Sequence, residues 1–423
     1  MPWVVCIVRK GAELAEQKPG YVEITCCTAT AFKDWSKSQF ARAMTTIAAG
    51  GRRVEAGTMA KVALNEIESA LGFRYNPHGL IADPALFDLM SPPQVLTYDW
   101  VHSMLHGGAL SSEVEALLAE TGVERCRLQE FLADASWTVP ACAKARFKGL
   151  ARIFDAKRGG ASEGRVKASC SEMLGVYGLL RFFFELELEG RAEFAPHLLS
   201  LRAICEVIDL LLAAKQRLAG IDEAADRLDE AVGRHLASHL AAYGSDHIRP
   251  KHHWLWDVVS QIRRDRLLLD AFVVERIHLR IKGLAEKIRK TTSFESSVLA
   301  STLASHLTML ETAGSFGGLL GRTAPFPGLL GARIADKMEA AGVQYSVGDV
   351  VLLGDYVGVV AACATEGGEL WAVVSQLQSV ADVTSTSSRY RDAGVRVVWQ
   401  ALSLTLALAW RVDRDGAMLV LRR

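Results

Sequence analysis

Between Ser111 and Ala300 the apolar residues of this chain recur at three- and four-residue steps, and from Tyr345 onward they alternate with polar ones. That single change of period limits the architecture. A helical pattern that is finished before a strand pattern begins does not build an alternating α/β sheet; it predicts a helical body followed by an antiparallel module. The helical stretches are SSEVEALLAE, RVKASCSEMLGVYGLLRFFFELE, HLLSLRAICEVIDLLLAAKQRL and DEAADRLDEAVGRHLASHLAAYG. Ser111-Ser112-Glu113 reads as the capped start of the first of them. The aromatic run in RFFFELE reads as core packing rather than a platform for stacking bases. After Tyr345 come VGDVVLLGDYVGVVAAC, GGELWAVVSQL, GVRVVWQAL, LALAWRV and GAMLVLRR, short strands that suit a small antiparallel barrel.

The 423 residues are enough for two or three domains. Residues 1–30 hold two β-like runs, PWVVCIV and YVEITCC, and 35–72 look helical with Gly72 as a stop. Residues 73–97 are broken by Asn76-Pro77, Asp83-Pro84 and Ser91-Pro92-Pro93. Residues 314–333 are rich in Gly and Pro and read as a linker or a long loop. The most apolar helical window, LLSLRAICEVIDLLLAAK, carries Arg202, Glu206 and Asp209, so it predicts an amphipathic core helix and no membrane span. Eight scattered cysteines with no CxxC predict reduced thiols in an intracellular protein. Lys and Arg balance Asp and Glu, which removes any global electrostatic argument for nucleic acid.

Locally the balance breaks. From His247 to Lys290 there are eleven Lys/Arg against five Asp/Glu, a basic segment able to meet phosphates. The same stretch opens with His247, His252 and His253. It continues through Asp270, a helix-capping acid, to Glu275, which sits in an apolar helical pattern with Arg276 and Arg280 nearby. Upstream, in TYDWVHSMLHGG, Asp99 and His102 share one face of a helical turn. Polar groups in apolar runs need partners. Asp99-x-x-His102 before the helical body and His247-x4-His252 after it could pin its two ends together, through a metal or through hydrogen bonds. Asp in place of Cys weakens the case for zinc and favours a hydrogen-bonded cluster. The chain has no G-x-S-x-G elbow, no Walker A loop and no dinucleotide fingerprint. Carboxylates brought together from distant positions, as two-metal phosphoryl transfer requires, remain open to it.

These segments resemble eukaryotic cut-and-paste DDE transposases, nearest the CACTA (EnSpm) and Kyakuja–Dileera–Zisupton-like groups. YDWVHSM is similar to their Asp-x-Met-His segment, PKHHWLW to their Pro-Lys-His-His segment, and VERIHLRIKGLAEKIRKTTSFESSVLA to the block around their last catalytic Glu. The resemblance spans roughly residues 20–310. It implies a mainly α chain with minor β: an incomplete ribonuclease-H-like core (1–110) interrupted by a large all-α insertion (111–245). A helical return segment carrying Glu275 (246–313), a linker (314–344) and a small antiparallel β-barrel-like module (345–423) complete the expected plan. It also implies Mg²⁺ and DNA strand cleavage with strand transfer in a nuclear protein, with a homo-oligomer possible. Glu275 would be the third acid. Asp99 would be either the second acid and a metal ligand, or the signature Asp beside it with His102 in support; Asp83 is the other candidate for that acid. Arg276, Arg280, Lys282, Lys287, Arg289 and Lys290 would face DNA, with His247, His252 and His253 in a supporting polar cluster. No counterpart of the family's first Asp is found, so the expectation is a truncated or degenerate, inactive copy. The rival expectations are a helical scaffold with a β module that binds protein, and a DNA-binding domain without cleavage.

Overall fold

The computed structural model describes residues 37–71, 74–76, 97–144, 149–155, 166–215, 220–268, 270, 281–288, 293–312, 317–326, 331–340 and 342–422. About 53% of the described residues are helical and 23% are strand, so the mainly α class with minor β holds. The helices are α1 (Lys37–Glu55), α2 (Lys61–Leu71), α3 (Trp100–Met104), α4 (Ala109–Thr121), α5 (Arg125–Ala133), α6 (Cys170–Glu187), α7 (Ala195–Lys215), α8 (Ile221–Tyr243), α9 (Pro250–Asp265) and α10 (Phe294–Thr312). The two β-like runs before residue 30 lie outside the described residues, and a ribonuclease-H-like core is not part of what is described.

One apolar core organises α3 to α9. Trp100, Met104, Leu110, Leu117, Tyr177, Phe182, Phe184, Leu201, Ile208, Val232 and Val258 all pack into it. The helices form because their apolar residues line one or more inward faces; α6 and α7 are apolar nearly all round and lie deepest. Ser169 and Glu172 close a reciprocal capping box at the start of α6. The aromatic run is core, as expected: Phe182, Phe183 and Phe184 are buried, with Phe131 and Trp137 against them.

The strand pattern is richer than its sequence suggests. The strands are β1 (Gly317–Leu320), β2 (Ala324–Pro325), β3 (Arg333–Ala335), β4 (Lys337–Ala340), β5 (Val343–Ser346), β6 (Val350–Leu353), β7 (Tyr356–Glu366), β8 (Glu369–Thr384), β9 (Ser387–Gln400), β10 (Thr405–Leu406), β11 (Ala409–Val412) and β12 (Met418–Leu421). An antiparallel sheet runs β10-β6-β7-β8-β9-β12-β11 and curls into a half-barrel; β1, β4 and β5 form a separate small sheet. Three register shifts between β8 and β9 bend that long ribbon. The expected linker, 314–344, is corrected here: it supplies β1 to β4, because its Gly and Pro residues punctuate very short strands instead of breaking structure altogether.

The β module is not a separate bead. Ala409, Leu419 and Leu421 enter the helical core. Thr138 and Trp410 exchange backbone hydrogen bonds of 2.7 and 2.8 Å. Arg181 on α6 donates to the Arg422 carbonyl at 2.7 Å and to Asp209 on α7 at 3.0 Å. Asp349 accepts from the Ala141 and Ser346 amides, each at 2.8 Å. Helix and sheet therefore share one interface, with backbone and side-chain hydrogen bonds running across it.

Candidate functional site

Two neighbouring features on α9 concentrate the polar chemistry of the helical body. The first is a clamp. Asp99 caps α3, its carboxylate accepting from the Val101 and His102 amides at 3.2 Å each and pairing with the His102 ring. The backbone of this turn is gripped by α9. Lys251 Nζ donates to the carbonyls of His102 and His106 at 2.9 and 2.7 Å. Gln261, buried, accepts from the Tyr98 amide at 2.6 Å and donates to its carbonyl at 3.2 Å, across 163 residues of sequence. Trp254 packs on Tyr98 with ring centroids 6.0 Å apart. The two ends of the helical body are thus pinned by hydrogen bonds.

The second feature is buried and was not foreseen from the sequence. His235 and His239 lie one turn apart on the inner face of α8, and His252 lies in the first turn of α9. Gly244, at φ 77°, ends α8 and lets the chain reverse so that the two helices pack together. Glu113 reaches the group from α4. All four side chains are essentially inaccessible, none more than 1% exposed. Glu113 accepts from His239 Nδ1 at 2.6 Å and from the Tyr243 hydroxyl at 3.0 Å. The imidazole centroids are 4.5 Å apart for His239 and His252, 5.6 Å for His235 and His239, and 6.0 Å for His235 and His252.

The charge states follow from these surroundings. Burial alone would push the Glu113 carboxyl up, but the hydrogen bond from His239 holds it below the ordinary carboxylate value. Burial lowers His235 to about 4 and His252 well below the usual histidine range, so both rings are neutral near pH 7 and keep a lone pair. Burial, then the Glu113 charge, raises the Tyr243 hydroxyl, which stays a donor. Both nitrogens of His235, Nε2 of His239 and Nε2 of His252 are buried without a hydrogen-bond partner.

The residues singled out from sequence fall into three groups. The Asp99–His102 turn is held against α9 through Lys251, but Asp99 and His102 join the clamp, not the buried cluster. Of the expected supporting histidines, His252 is in the cluster. His247 packs against the Tyr243 ring at 5.8 Å, and His253 faces Asp257 on its own helix at 3.8 Å. Burial lowers His253 to about 4. Lys282 and Lys287 are exposed. Glu275, Asp83, Arg276, Arg280, Arg289 and Lys290 lie outside the described residues. Asp270 is described, paired with Lys215 at 2.5 Å.

Reading from sequence missed His235, His239 and Glu113. The first two carried a signal: His-x3-His inside DEAADRLDEAVGRHLASHLAAYG places both rings on one helical face. Glu113 carried a misleading one. Its expected helix starts at Ala109 with Gly108 as its cap, so Ser111 and Glu113 are buried inside the helix rather than capping it. No protein-family model, curated protein or solved structure matches this chain.

Proposed function

We propose that the chain is a transposase-derived protein in which an all-α insertion is closed at its base by α9, and which binds DNA through the basic segment that follows. The observation that carries this reading is the clamp. The Asp99-x-x-His102 turn and the Pro-Lys-His-His helix, two of the three segments that resemble the transposases, meet through Lys251, 149 residues on from His102. A pinned insertion is what such an arrangement needs if the segments that flank it are to stay in register. The exposed Lys282 and Lys287 belong to the segment that would meet phosphates.

Mg²⁺, which this ancestry implies, takes carboxylate and water oxygens in near-octahedral geometry. Asp99 does not fit that role, because both its oxygens serve the α3 cap and one also pairs with His102. It fits the signature acid, leaving Glu275 and Asp83 as the acids to test. The reading predicts a chain that retains DNA without cutting it. The test is a fluorescence-anisotropy titration of duplex DNA with and without Mg²⁺, for the wild type and Glu275→Gln. Equal DNA affinity in all four arms, with no nicking, is the outcome for an inactive descendant. Mg²⁺-dependent nicking lost in Glu275→Gln would mean that the active site is complete.

A second reading, a scaffold with a protein-binding β module, is favoured by one observation. The β8–β9 ribbon presents Val380, Val395 and Val398, each more than half exposed. On that reading the DNA titration stays flat.

A further inference from the structure

We propose that His235, His239 and His252 together bind one divalent transition-metal ion, zinc in the first instance, with Glu113 fixing His239 from behind. One ring nitrogen of each histidine lies within 4.8 Å of the other two. Three imidazoles on a tetrahedral ion at about 2.0–2.1 Å place their nitrogens roughly 3.3 Å apart and their ring centroids about 5 Å apart. The observed centroid separations, 4.5 to 6.0 Å, already straddle that value. Loading asks the ring nitrogens to close from as much as 4.8 Å to roughly 3.3 Å.

The donor chemistry is complete on one side. With the Glu113 carboxylate accepting from its Nδ1–H, the neutral His239 ring carries its lone pair on Nε2, and that atom is buried and has no hydrogen-bond partner. A carboxylate that holds a histidine in this tautomer is the usual support behind a metal-bound imidazole. His235 offers two unpartnered nitrogens in the same space. Buried ring nitrogens left without a hydrogen-bond partner on all three histidines are costly as mere packing, since buried polar atoms in native proteins are nearly always satisfied. Imidazole donors without thiolate suit zinc, copper or nickel and argue against magnesium.

His252 sets the condition. Its Nδ1 accepts from the Arg249 amide at 3.0 Å, which puts the ring proton on Nε2. To ligate through Nε2 the ring must release that proton, which a metal drives, and the Arg249 bond must loosen as Nδ1 becomes protonated. Metal entry is thereby coupled to the first turn of α9, next to Lys251. The ion would tie α8 to α9 and stiffen the helix that holds the Tyr98–His106 turn. This inference stands on the cluster alone and does not depend on DNA binding.

The experiment uses the full chain. It is purified, its metal content measured, stripped with chelator, checked by circular dichroism, and titrated with Co²⁺ and then Zn²⁺. The expected result is one Co²⁺ per chain with the visible d–d bands of a tetrahedral nitrogen site, displaced by Zn²⁺, and a Tm several degrees lower after stripping. His235→Ala should weaken the ion at least tenfold. If stripping unfolds the chain and Zn²⁺ restores it, the proposal also holds. Two results overturn it: a folded, stripped wild type that takes up neither ion, and an ion bound equally well by the His235→Ala, His252→Ala double variant. DNA titration of the stripped chain keeps the two proposals apart, since a metal-free chain that still binds DNA leaves the earlier reading intact.

Discussion

Glu113 is the residue on which the buried cluster depends. It is fully buried, and it meets the need for a partner of both His239 and Tyr243. Removing one member of such a group strands the others, which costs more than the net value of the bonds. Glu113→Ala is expected to lower stability by about 3–5 kcal/mol, and Glu113→Gln, which keeps shape and one acceptor, by about 1–3 kcal/mol, both read from urea unfolding midpoints. Equal and small effects would show that the carboxylate is not paired. The spacing of His235 and His239 was legible, because helical periodicity alone puts them on one face. That Glu113 joins them was not. It depends on α4 bringing Glu113 to His239 and Tyr243 of α8, a tertiary fact with no local trace, and the acid stood where a capping residue is ordinarily expected.

At the scale of elements, the contacts that matter are made by α9 and α6. Gln261 satisfies both backbone groups of Tyr98 from a buried position. Gln261→Leu keeps the volume and removes the partner of the N–H and C=O of half-buried Tyr98, so a loss of about 1–3 kcal/mol is expected; Gln261→Glu should be milder at the amide and unfavourable at the carbonyl. On α6, Gly178 faces Leu408. A Cβ built there would stand 2.4 Å from Leu408 Cδ1 and 3.0 Å from its Cβ. Ala in place of Gly ordinarily favours a helix by about 1 kcal/mol. Gly178→Ala is expected to reverse that sign and destabilise by about 1–3 kcal/mol through overpacking, measured by thermal melting. A stabilised variant would mean that α6 and the β module are not in contact. The helices were legible because their periodicity is strong and long. The strands of residues 317–340 were not, because they run two to four residues each and are separated by the same Gly and Pro that mark loops.

Across the whole molecule, the sequence pointed to a helical body and a terminal sheet, and both are present. What it left out is that they share a core, which follows from the few apolar residues of β11 and β12 that turn toward the helices. Asp349 sits on this boundary. Burial, partly opposed by the amide hydrogen bonds of Ala141 and Ser346, raises its carboxyl above the ordinary value. For an acid whose folded pKa is raised, the contribution to stability is full below the unfolded pKa and is lost as pH rises through the folded one. Wild type minus Asp349→Asn should therefore show stability falling with pH from about 4 upward, by at most about 1.4 kcal/mol per unit. No such difference would place Asp349 in solvent.

The central claim, that a basic segment following a clamped helical insertion binds DNA, is met most directly by a salt titration. Binding of duplex DNA is measured by anisotropy over a range of NaCl for the wild type and for Lys282→Gln, Lys287→Gln. The account predicts a straight fall of log affinity with log salt, and a slope smaller by roughly 1.8 in the double variant, about 0.9 for each phosphate contact removed. An affinity that ignores salt, or a slope unchanged by the two substitutions, would contradict it.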